Sequence, residues 1–562
     1  MAAVYSAAMK GQNMPAPPTR SNSAITRRGL FGLATSSATL AASPLAARGF
    51  GSGFTHGVAS GEPGPTQVLL WTRYVVGQDV MLDWQVSLDQ SFAQITAEGQ
   101  VSAGPERDYC AKAWAKGLNP GQWYYYRFMA PDGSQSDVGR TRTLPQGKAD
   151  RFKLALFSCS NYGFGWFNAY AHAAEANDAD LALHLGDYIY EYGRGTYPSA
   201  DVAHPERMLW PDDEIVALAD YRLRYATYRS DPDLRRIHQL LPMICVWDDH
   251  ESANDSWKDG AQNHQKETEG SWELRKAVAK RVYREWMPVS DQTYAKYDVG
   301  DLATLFRLDT RLEGREEQFD IASILSGAAS PEAAMAALKA FRDGDYAHPE
   351  RQLLGAAQES WLARGLTSSR KGGKIWQVLV QQVLMGRLST PPTLLDALGD
   401  SAPDYLRRRI TTAAMASRVG LPANMDAWDG YPAARDRVLK AALEADANML
   451  VLAGDTHNSW AFELDHQGHR AGIEFGTHSV TSPGLESYLG AIPSDQLAQS
   501  MVGHNAGLKF ADTSQRGYMT IELTPEQAVC EFRYVETVRT RRTRLASTHR
   551  MTSRAGSHQL LT

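Results

Sequence analysis

Four apolar runs of the sequence pass directly into side chains that can bind cations. A single Asp after such a run is common, because Asp suits turns and helix caps. We call each point at which an apolar run ends in such residues a junction. Capping does not explain why four junctions also carry His, Cys and Tyr, so the four indicate one polar site built from several segments. The junctions read Phe157-Ser158-Cys159-Ser160-Asn161, His184-Leu185-Gly186-Asp187-Tyr188-Ile189-Tyr190, Val246-Trp247-Asp248-Asp249-His250-Glu251 and Leu452-Ala453-Gly454-Asp455-Thr456-His457-Asn458.

The chemistry of such a site follows from where the apolar runs end. Residues 152–157, 180–185, 241–247 and 449–452 have the length and composition of buried strands. Ligands of open α/β sheets bind beyond the carboxyl ends of the strands. We therefore expect the four junctions to converge on one cleft, where carboxylate, imidazole, thiol and phenol groups can share metal ions.

The elements that must position these residues form two parts. Residues 54–143 contain short, aromatic-rich and partly alternating segments, which predict a small all-β sandwich of immunoglobulin or fibronectin type. Pro145-Gln146-Gly147-Lys148 predicts a linker. After Arg151 compact apolar runs alternate with helical stretches such as residues 272–286, which indicates an α/β layered domain. We assign residues 48–146 to the sandwich and 147–562 to a catalytic domain with helical inserts near 320–370 and 390–420.

Residues 1–47 have the features of an export signal. Arg27-Arg28 precede a weakly apolar stretch rich in Ala, Ser and Thr, and no acidic residue occurs before Glu62. This pattern resembles a twin-arginine signal, with cleavage expected near Ala46 or Ala47. A disordered basic tail is the alternative. Because the twin-arginine machinery carries folded proteins, the pattern predicts a periplasmic or extracellular protein that is exported folded.

Composition excludes several classes of function. The formal net charge is −6, and loss of the basic leader makes the balance more acidic, which argues against nucleic acid as a general ligand. The four cysteines form no CxxC motif and are too few for a disulfide scaffold. No apolar run is long enough for a stable membrane span. We expect a mature protein that is a monomer.

The junctions resemble the motif series of the metallophosphoesterase superfamily. Gly186-Asp187 matches its Gly-Asp motif, and the junctions that contain His250 and His457 are similar to its later Gly-Asn-His-Glu and Gly-His-x-His motifs. Tyr190 lies three residues after Asp187, as the iron-binding tyrosinate does in purple acid phosphatases, and Cys159 stands where Asp or His is usual.

Those departures resemble the PhoD-like alkaline phosphatase family, which also contains phospholipase D enzymes. Further matches cover nearly the whole mature chain: His56-Gly57-Val58-Ala59-Ser60-Gly61, Val68-Leu69-Leu70-Trp71-Thr72-Arg73, Phe306-Arg307-Leu308-Asp309-Thr310-Arg311, Trp428-Asp429-Gly430-Tyr431, Ser479-Val480-Thr481-Ser482-Pro483-Gly484 and Arg516-Gly517-Tyr518.

The resemblance implies a secreted, metal-dependent alkaline phosphatase that holds one Fe(3+) ion and one or more Ca(2+) ions. Carried over, Cys159, Asp187, Tyr190 and His457 would hold iron, and Asp187 would also bridge to calcium. Asp248, Asp249 and Asp455 would be calcium ligands. Phenolate suits iron(III), whereas carboxylate and amide oxygens suit calcium. The substrates implied are small-molecule, lipid or polymer phosphate esters. His250 would donate a proton to the leaving alcohol or hold a phosphate oxygen.

Two other functions remain open at this point. A phosphodiesterase or phospholipase D would use the same metal site with a different pocket shape. A catalytically silent, metal-stabilised binding protein of the cell envelope would use the sandwich instead. Other enzyme classes lack support, because Ala59 occupies the nucleophile position of a Gly-x-Ser-x-Gly elbow and no P-loop motif occurs. The family pattern does not place His478.

Overall fold

A computed structural model describes residues 51–398 and 404–561. The twin-arginine motif at Arg27-Arg28 and the proposed cleavage site lie outside the described residues. None of the helices within the described ranges combines the length and the apolar character that crossing a membrane requires.

The amino-terminal part of the described chain is all β-structure. Its strands are β1 Gly53–Gly61, β2 Gln67–Val75, β3 Val80–Ser87, β4 Ile95–Ala103, β5 Cys110–Lys116, β6 Trp123–Met129 and β7 Gly139–Arg142. Strands β3, β4, β6 and β7 form one antiparallel sheet in the order β4-β3-β6-β7. Strands β1, β2 and β5 pair with one another, and β1 then continues into the sheet that follows.

The remaining strands belong to two mixed sheets and one short hairpin. They are β8 Phe152–Phe157, β9 Leu181–His184, β10 Met243–Cys245, β11 Ser256–Trp257, β12 Gly260–Ala261, β13 Ala295–Val299, β14 Ala303–Arg307, β15 Trp376–Val380, β16 Met449–Ala453, β17 Ser459–His466, β18 His469–Gly476, β19 Leu508–Asp512, β20 Gly517–Leu523, β21 Gln527–Val535 and β22 Leu545–Arg554.

The first sheet carries three of the four junctions found in the sequence. Across the described residues its strand order is β22-β21-β20-β8-β9-β10-β1-β2-β5. Strands β8, β9 and β10 are parallel neighbours, and β10 pairs in parallel with β1 where Gly61 faces Met243. The amino-terminal strands therefore extend the sheet that positions the junctions. The alternating pattern of the amino-terminal segments does not reveal this continuity.

The second sheet carries the fourth junction. Its order in the described chain is β13-β14-β15-β16-β18-β17-β19, and β14, β15, β16 and β18 run parallel. Strand β16 belongs to a sheet that packs against the first one, so the four junctions meet from two sheets.

The two sheets pack face to face through alternate residues of their strands. Leu156, Leu183 and Ile244 of the first sheet and Val380 and Leu452 of the second belong to one buried apolar cluster. The intervening residues face outward into separate clusters beneath the helices. Both faces of these strands are thus buried, which explains why they read as continuous apolar runs rather than as alternating ones.

Helices cover the outer faces of both sheets. They are α1 Asn168–Ala176, α2 Leu218–Arg229, α3 Pro232–Leu240, α4 Lys266–Glu269, α5 Trp272–Trp286, α6 Ile321–Leu325, α7 Pro331–Asp343, α8 Ala356–Lys371, α9 Leu394–Ala397, α10 Asp404–Arg418, α11 Pro432–Glu444 and α12 Ser494–His504. Helices α6 to α8 lie within residues 320–371, and α9 and α10 lie within 394–418. These are the regions in which the sequence indicates helical inserts.

Candidate metal centre

The backbone is left-handed at four of the residues singled out in the sequence. Cys159, Asp187, Asp455 and His457 have φ angles of 59°, 54°, 63° and 63°. Residues other than glycine rarely adopt this conformation, which carries a conformational cost and concentrates at functional sites. Each turn re-aims a side chain just beyond the end of β8, β9 or β16, so that these side chains point toward one another.

The turn after β9 also depends on a close approach between neighbouring strands. Gly186 has a φ of 98°, and a Cβ atom at this position would collide with Asp248 beyond β10. The absence of a side chain lets the two turns lie in contact. Asp187 is thereby placed beside Asp248 and Asp249.

The structure brings the candidate ligands into three overlapping groups. Within each group, one ligand atom per residue lies within 4.8 Å of the others. Cys159, Asp187 and His457 form the first group, and Asp187 joins a second one with Asp249 and His250. The third group consists of Asp248, Asp249 and Asp455. Asp187 therefore lies between two sets of donors, as a bridging carboxylate must.

Tyr190 connects Asp187 to His457. Its hydroxyl lies 3.1 Å from Oδ2 of Asp187 and 3.2 Å from Nε2 of His457, and the Ser482 hydroxyl donates to it at 2.8 Å. The phenol oxygen thus faces the pocket. We call Cys159, Tyr190 and His457 the donor side of the pocket, and Asp248, Asp249 and Asp455 the acidic side.

The acidic side contains a buried arginine. The Arg311 guanidinium contacts Asp248 at hydrogen-bonding distance and lies 3.9 Å from Asp249 and 3.7 Å from Asp455. Asp426 accepts from Arg311 at 2.7 Å and from Arg315 at 2.6 Å, which fixes the guanidinium from behind. Arg311 therefore neutralises part of the carboxylate charge that the acidic side collects.

Burial and crowding shift the carboxyl groups in different directions. Burial raises the pKa of Asp187, and the neighbouring Asp249 and Asp248 carboxylates raise it further against the effect of His250. Burial also raises the pKa of Asp248 despite Arg311. Burial opposes ionisation of Asp249 as well, but Arg311 and His250 outweigh it and hold the pKa of Asp249 below its usual value. A bound cation would favour the ionised form of all three.

The donor side is neutral when no cation is near. Burial, reinforced by Asp187, raises the pKa values of the Cys159 thiol and the Tyr190 phenol. Burial lowers the pKa of His457 to about 3, which keeps its imidazole neutral. Neutral imidazole is the ligand form of histidine, whereas thiol and phenol must each lose a proton to bind a metal.

His250 is held by a buried carboxylate. Its Nδ1 lies 2.6 Å from Oε2 of Glu191, whose other oxygen accepts from the Asn254 backbone at 2.7 Å and from the Asn263 amide at 2.8 Å. Burial alone would lower the pKa of His250, but Asp249 and Glu191 raise it well above its usual value. The Glu191 carboxylate thereby fixes the orientation of the ring and favours its imidazolium form.

Glu251, the last residue of the third junction, has a structural role. Its carboxylate accepts from the backbone N–H of Asp187 at 3.1 Å, from that of Asp248 at 2.6 Å, and from that of Tyr188. It thus ties the turn after β9 to the turn after β10. Loss of this carboxylate would release the backbone at Asp187 and Asp248 together.

The pocket meets the requirements of a metal site. Asp187 Oδ1, Asp248 Oδ2 and Asp455 Oδ2 are buried and lack a hydrogen-bond partner in the described structure. Buried carboxylate oxygens without partners are costly unless a cation binds them. Cys159 is a free thiol, as are the other cysteines of the described chain. Thiolate, phenolate and imidazole on one side and carboxylates on the other suit two kinds of ion.

The structure places all the site residues named in the sequence analysis around this one pocket. Sequence reasoning missed Glu191, Arg311 and Asp426. Arg311 follows β14 by four residues. Its position beyond the carboxyl end of an apolar strand was the only sequence signal that it could belong to the site. Asp426 lies in a loop before α11 and gives no comparable signal. His478 lies outside the ligand groups, where its ring contacts the Ser459 hydroxyl and the Arg533 carbonyl.

Comparisons with known proteins agree on one family. The profile of the PhoD-like phosphatase family matches residues 154–532, and that of the amino-terminal domain of PhoD-like phosphatases matches 39–145. Alkaline phosphatase D of Bacillus subtilis (strain 168) is 33% identical over 507 residues, which cover 85% of this chain and 77% of the relative.

A solved structure of PhoD has the same fold over almost the whole length. It matches with a TM-score of 0.72 and 30% identity, and the match covers 91% of this chain and 92% of the other. The family resemblance seen in the sequence motifs is thus confirmed. The chain belongs to the PhoD-like phosphatase family.

Proposed function

We propose that this chain is a secreted, metal-dependent phosphoesterase that hydrolyses phosphate esters with water in the pocket described above. Family membership makes it a phosphoric ester hydrolase, and its relative from Bacillus subtilis is named an alkaline phosphatase. The observation that carries the metal dependence is the convergence of Cys159, Tyr190 and His457 with Asp187 and the acidic side.

The proposed ions are one Fe(3+) on the donor side and at least one Ca(2+) on the acidic side. Cys159, Tyr190, His457 and Asp187 are the proposed iron ligands, because thiolate and phenolate suit iron(III). Asp249, Asp455 and, beside Arg311, Asp248 are the proposed calcium ligands. When bound, such ions supply Lewis acidity toward a phosphate oxygen and make a water molecule more acidic.

The protein's own residues hold the substrate between the two sides. Arg311 Nη2 is buried and makes no hydrogen bond in the described structure, but it lies within ion-pair distance of Asp249 and Asp455, where it could hold the acidic side or a phosphate oxygen bound beside it. The carboxylates of the acidic side would repel a phosphate if no cations were bound. The ions and Arg311 together therefore make the pocket attractive to an anionic ester.

His250 is the proposed general acid. Its Nδ1 donates to Glu191, which leaves Nε2 as the nitrogen that would face a substrate, and the Glu191 carboxylate favours the protonated form of the ring. The proton would pass from Nε2 to the oxygen of the departing alcohol. In an alternative role, the same N–H would bind a phosphate oxygen throughout the reaction.

Export and domain organisation complete the proposal. Residues 1–47 are proposed to be a twin-arginine signal that is recognised by the export machinery, and the mature protein to act in the periplasm or outside the cell. The part from 48 to 146 is proposed to be an immunoglobulin-like module, and 147–562 a catalytic domain layered like the metallophosphoesterases. Replacing Arg27 and Arg28 by Lys should leave the precursor in the cytoplasm, whereas normal export of that variant would contradict the signal.

A panel of phosphate monoesters and diesters, assayed with and without a chelator, tests the proposed reaction. Hydrolysis that stops on chelation and returns with iron and calcium would support the phosphoesterase. A preference for diesters would favour the phosphodiesterase or phospholipase D alternative with the same pocket. No turnover of any ester by metal-loaded protein would contradict the proposal and favour an envelope binding protein.

A further inference from the structure

A large cavity lies beside the metal centre. Its volume is about 560 Å³, and its walls include Phe164, Tyr197, Pro483, Arg516 and Arg539. Two wall residues contact a proposed metal ligand directly. The Tyr197 hydroxyl lies 3.5 Å from Nδ1 of His457, and the Pro483 carbonyl lies 2.9 Å from the same nitrogen.

The metal centre is joined to this cavity through His457. Cys159 and Tyr190 are 0% exposed and Asp187 and Asp249 are 1% exposed, whereas His457 is the most exposed proposed ligand at 8%. The same histidine contacts the cavity wall. A phosphate that reached the ions from this side would therefore leave the alcohol part of its ester in the cavity.

The two arginines of the wall differ in how their charge is balanced. Arg516 forms an ion pair with Glu486, which also lines the cavity. Arg539 instead donates to two backbone carbonyls, that of Phe164 at 2.7 Å and that of Val202 at 3.0 Å. No carboxylate among the described residues lies within ion-pair distance of Arg539. The Arg539 guanidinium is therefore held in place, and its charge is available to a bound anion.

The chain around Arg539 adds to the positive charge at the cavity. Residues 536–544 contain Arg539, Arg541, Arg542 and Arg544 against the single acid Glu536, although the whole chain is acidic. All four arginines are exposed. The described cavity wall itself carries as many acids as arginines, Glu486 and Asp201 against Arg516 and Arg539, so the excess of positive charge comes from the neighbouring arginines of residues 541–544. Such an excess attracts anions over the distance of a Debye length.

The remaining wall suits a carbon skeleton rather than a second ion. The rings of Phe164 and Tyr197 pack edge to face with their centroids 4.9 Å apart, and Val202 and Tyr488 lie on the same wall. Apolar and aromatic groups with a few placed charges are typical of ligand sites. The cavity thus offers apolar and aromatic surface beside His457, interspersed with the hydroxyl groups of Ser199, Thr481 and Ser487 and flanked by a cation.

We propose that Arg539 recognises a second anionic group on the alcohol part of the substrate. The preferred substrate class is then a phosphate ester whose alcohol carries another phosphate or a carboxylate. This inference rests on the proposed phosphoesterase function and adds the residue that determines specificity. Arg539 binds the group that is not cleaved, so it contributes to substrate binding and not to bond breaking.

The test compares matched alkyl phosphates in the metal-loaded enzyme. The substrates are propyl phosphate and the same ester with a terminal phosphate or a terminal carboxylate. The wild type should have a higher kcat/KM for the two doubly anionic esters, chiefly through a lower KM. Arg539→Gln should reduce this preference about tenfold, because a charge-assisted hydrogen bond is lost. Arg539→Lys should retain much of it.

Arg541→Gln is the matched control. It also removes one exposed positive charge from the segment, but Arg541 lies over Trp166 and near Asp233 instead of lining the cavity. The preference of Arg541→Gln for the doubly anionic esters should stay close to that of the wild type. The ratio of kcat/KM between two substrates is measured within each variant. A lower fraction of folded protein reduces both values equally and therefore leaves the ratio unchanged.

Three outcomes separate the possibilities. If Arg539→Gln loses the preference for doubly anionic esters and Arg541→Gln keeps it, the second anionic subsite is supported. If the wild type has a higher kcat/KM only for the ester with a terminal phosphate, the subsite selects phosphate over carboxylate. Equal losses on propyl phosphate and on its doubly anionic analogues would overturn the subsite and leave Arg539 with only its bonds to Phe164 and Val202. Failure of the wild type to cleave any of the esters would instead contradict the proposed function.

Discussion

The two sides of the metal pocket reach electrical balance in different ways. On the acidic side three carboxylates surround Arg311, so the protein itself provides part of the compensating charge. On the donor side burial raises the pKa values of Cys159 and Tyr190, so the side chains stay neutral until a cation displaces their protons. Asp187 belongs to both sides.

This difference indicates what each side selects. A neutral donor set that becomes anionic only on binding favours a strongly acidic ion, since the ion must displace protons from buried groups. A carboxylate set that is already partly balanced suits a hard ion bound through oxygen. The proposed metal centre therefore combines two unlike ions that share Asp187, and changes on either side should separate them.

Asp187→Asn should have the largest effect, because it removes the charge shared by both sides while keeping the shape. Iron and calcium content should both fall. Activity should drop by more than the roughly 10–100-fold that loss of an outer-shell partner costs. Elemental analysis and phosphatase assay of the purified variant measure both effects. Full activity with normal metal content would remove the basis of the site assignment.

His250→Ala should come next, because it removes the proposed general acid while leaving both sides intact. Turnover should fall about 10²–10⁴-fold with unchanged metal content. The deficit should be smaller for nitrophenyl phosphate than for an alkyl phosphate, because nitrophenolate departs without a proton. Equal losses on the two substrates would assign His250 to phosphate binding instead.

Tyr190→Phe should affect the donor side alone. Phenolate on iron(III) absorbs visible light, so the wild type should be coloured and the variant bleached, with calcium content retained. Absorption spectra combined with elemental analysis follow the two ions separately. A colourless, active wild type that contains only zinc would overturn the iron assignment and spare the phosphoesterase.

The smallest expected effect is a difference in pH dependence between the two ions. The raised pKa values of Cys159 and Tyr190 keep both groups protonated near neutral pH, so uptake of the donor-side ion must release protons and its affinity should rise with pH. The acidic side should respond less near neutral pH. Burial raises the pKa values of the Asp248 and Asp455 carboxyls, but from an ordinary range far below that of a thiol or a phenol, and the lowered pKa of Asp249 keeps that ligand ionised. Metal titrations of the stripped protein at several pH values measure both slopes. Equal slopes would contradict the distinction drawn here.

The sequence predicted the part of the site that follows a strand. Asp187, Asp249 and Asp455 each follow an apolar run, and the tendency of ligands to bind beyond the carboxyl ends of strands was enough to predict that they share one site. Arg311 and Glu191 were not predicted, because their role depends on distances between loops. Local sequence patterns also did not show that two sheets supply the junctions. A strand that is buried on both faces is a continuous apolar run whether the four strands share one sheet or belong to two.

The central claim is that phosphate-ester hydrolysis in this chain depends on ions held by the donor and acidic sides together. The most direct test strips the purified protein with a chelator, confirms the loss of metal by elemental analysis, and assays it after return of iron, calcium or both. The stripped protein should hydrolyse esters only negligibly, and full activity should return only with both ions. Undiminished hydrolysis by the metal-free protein would contradict it.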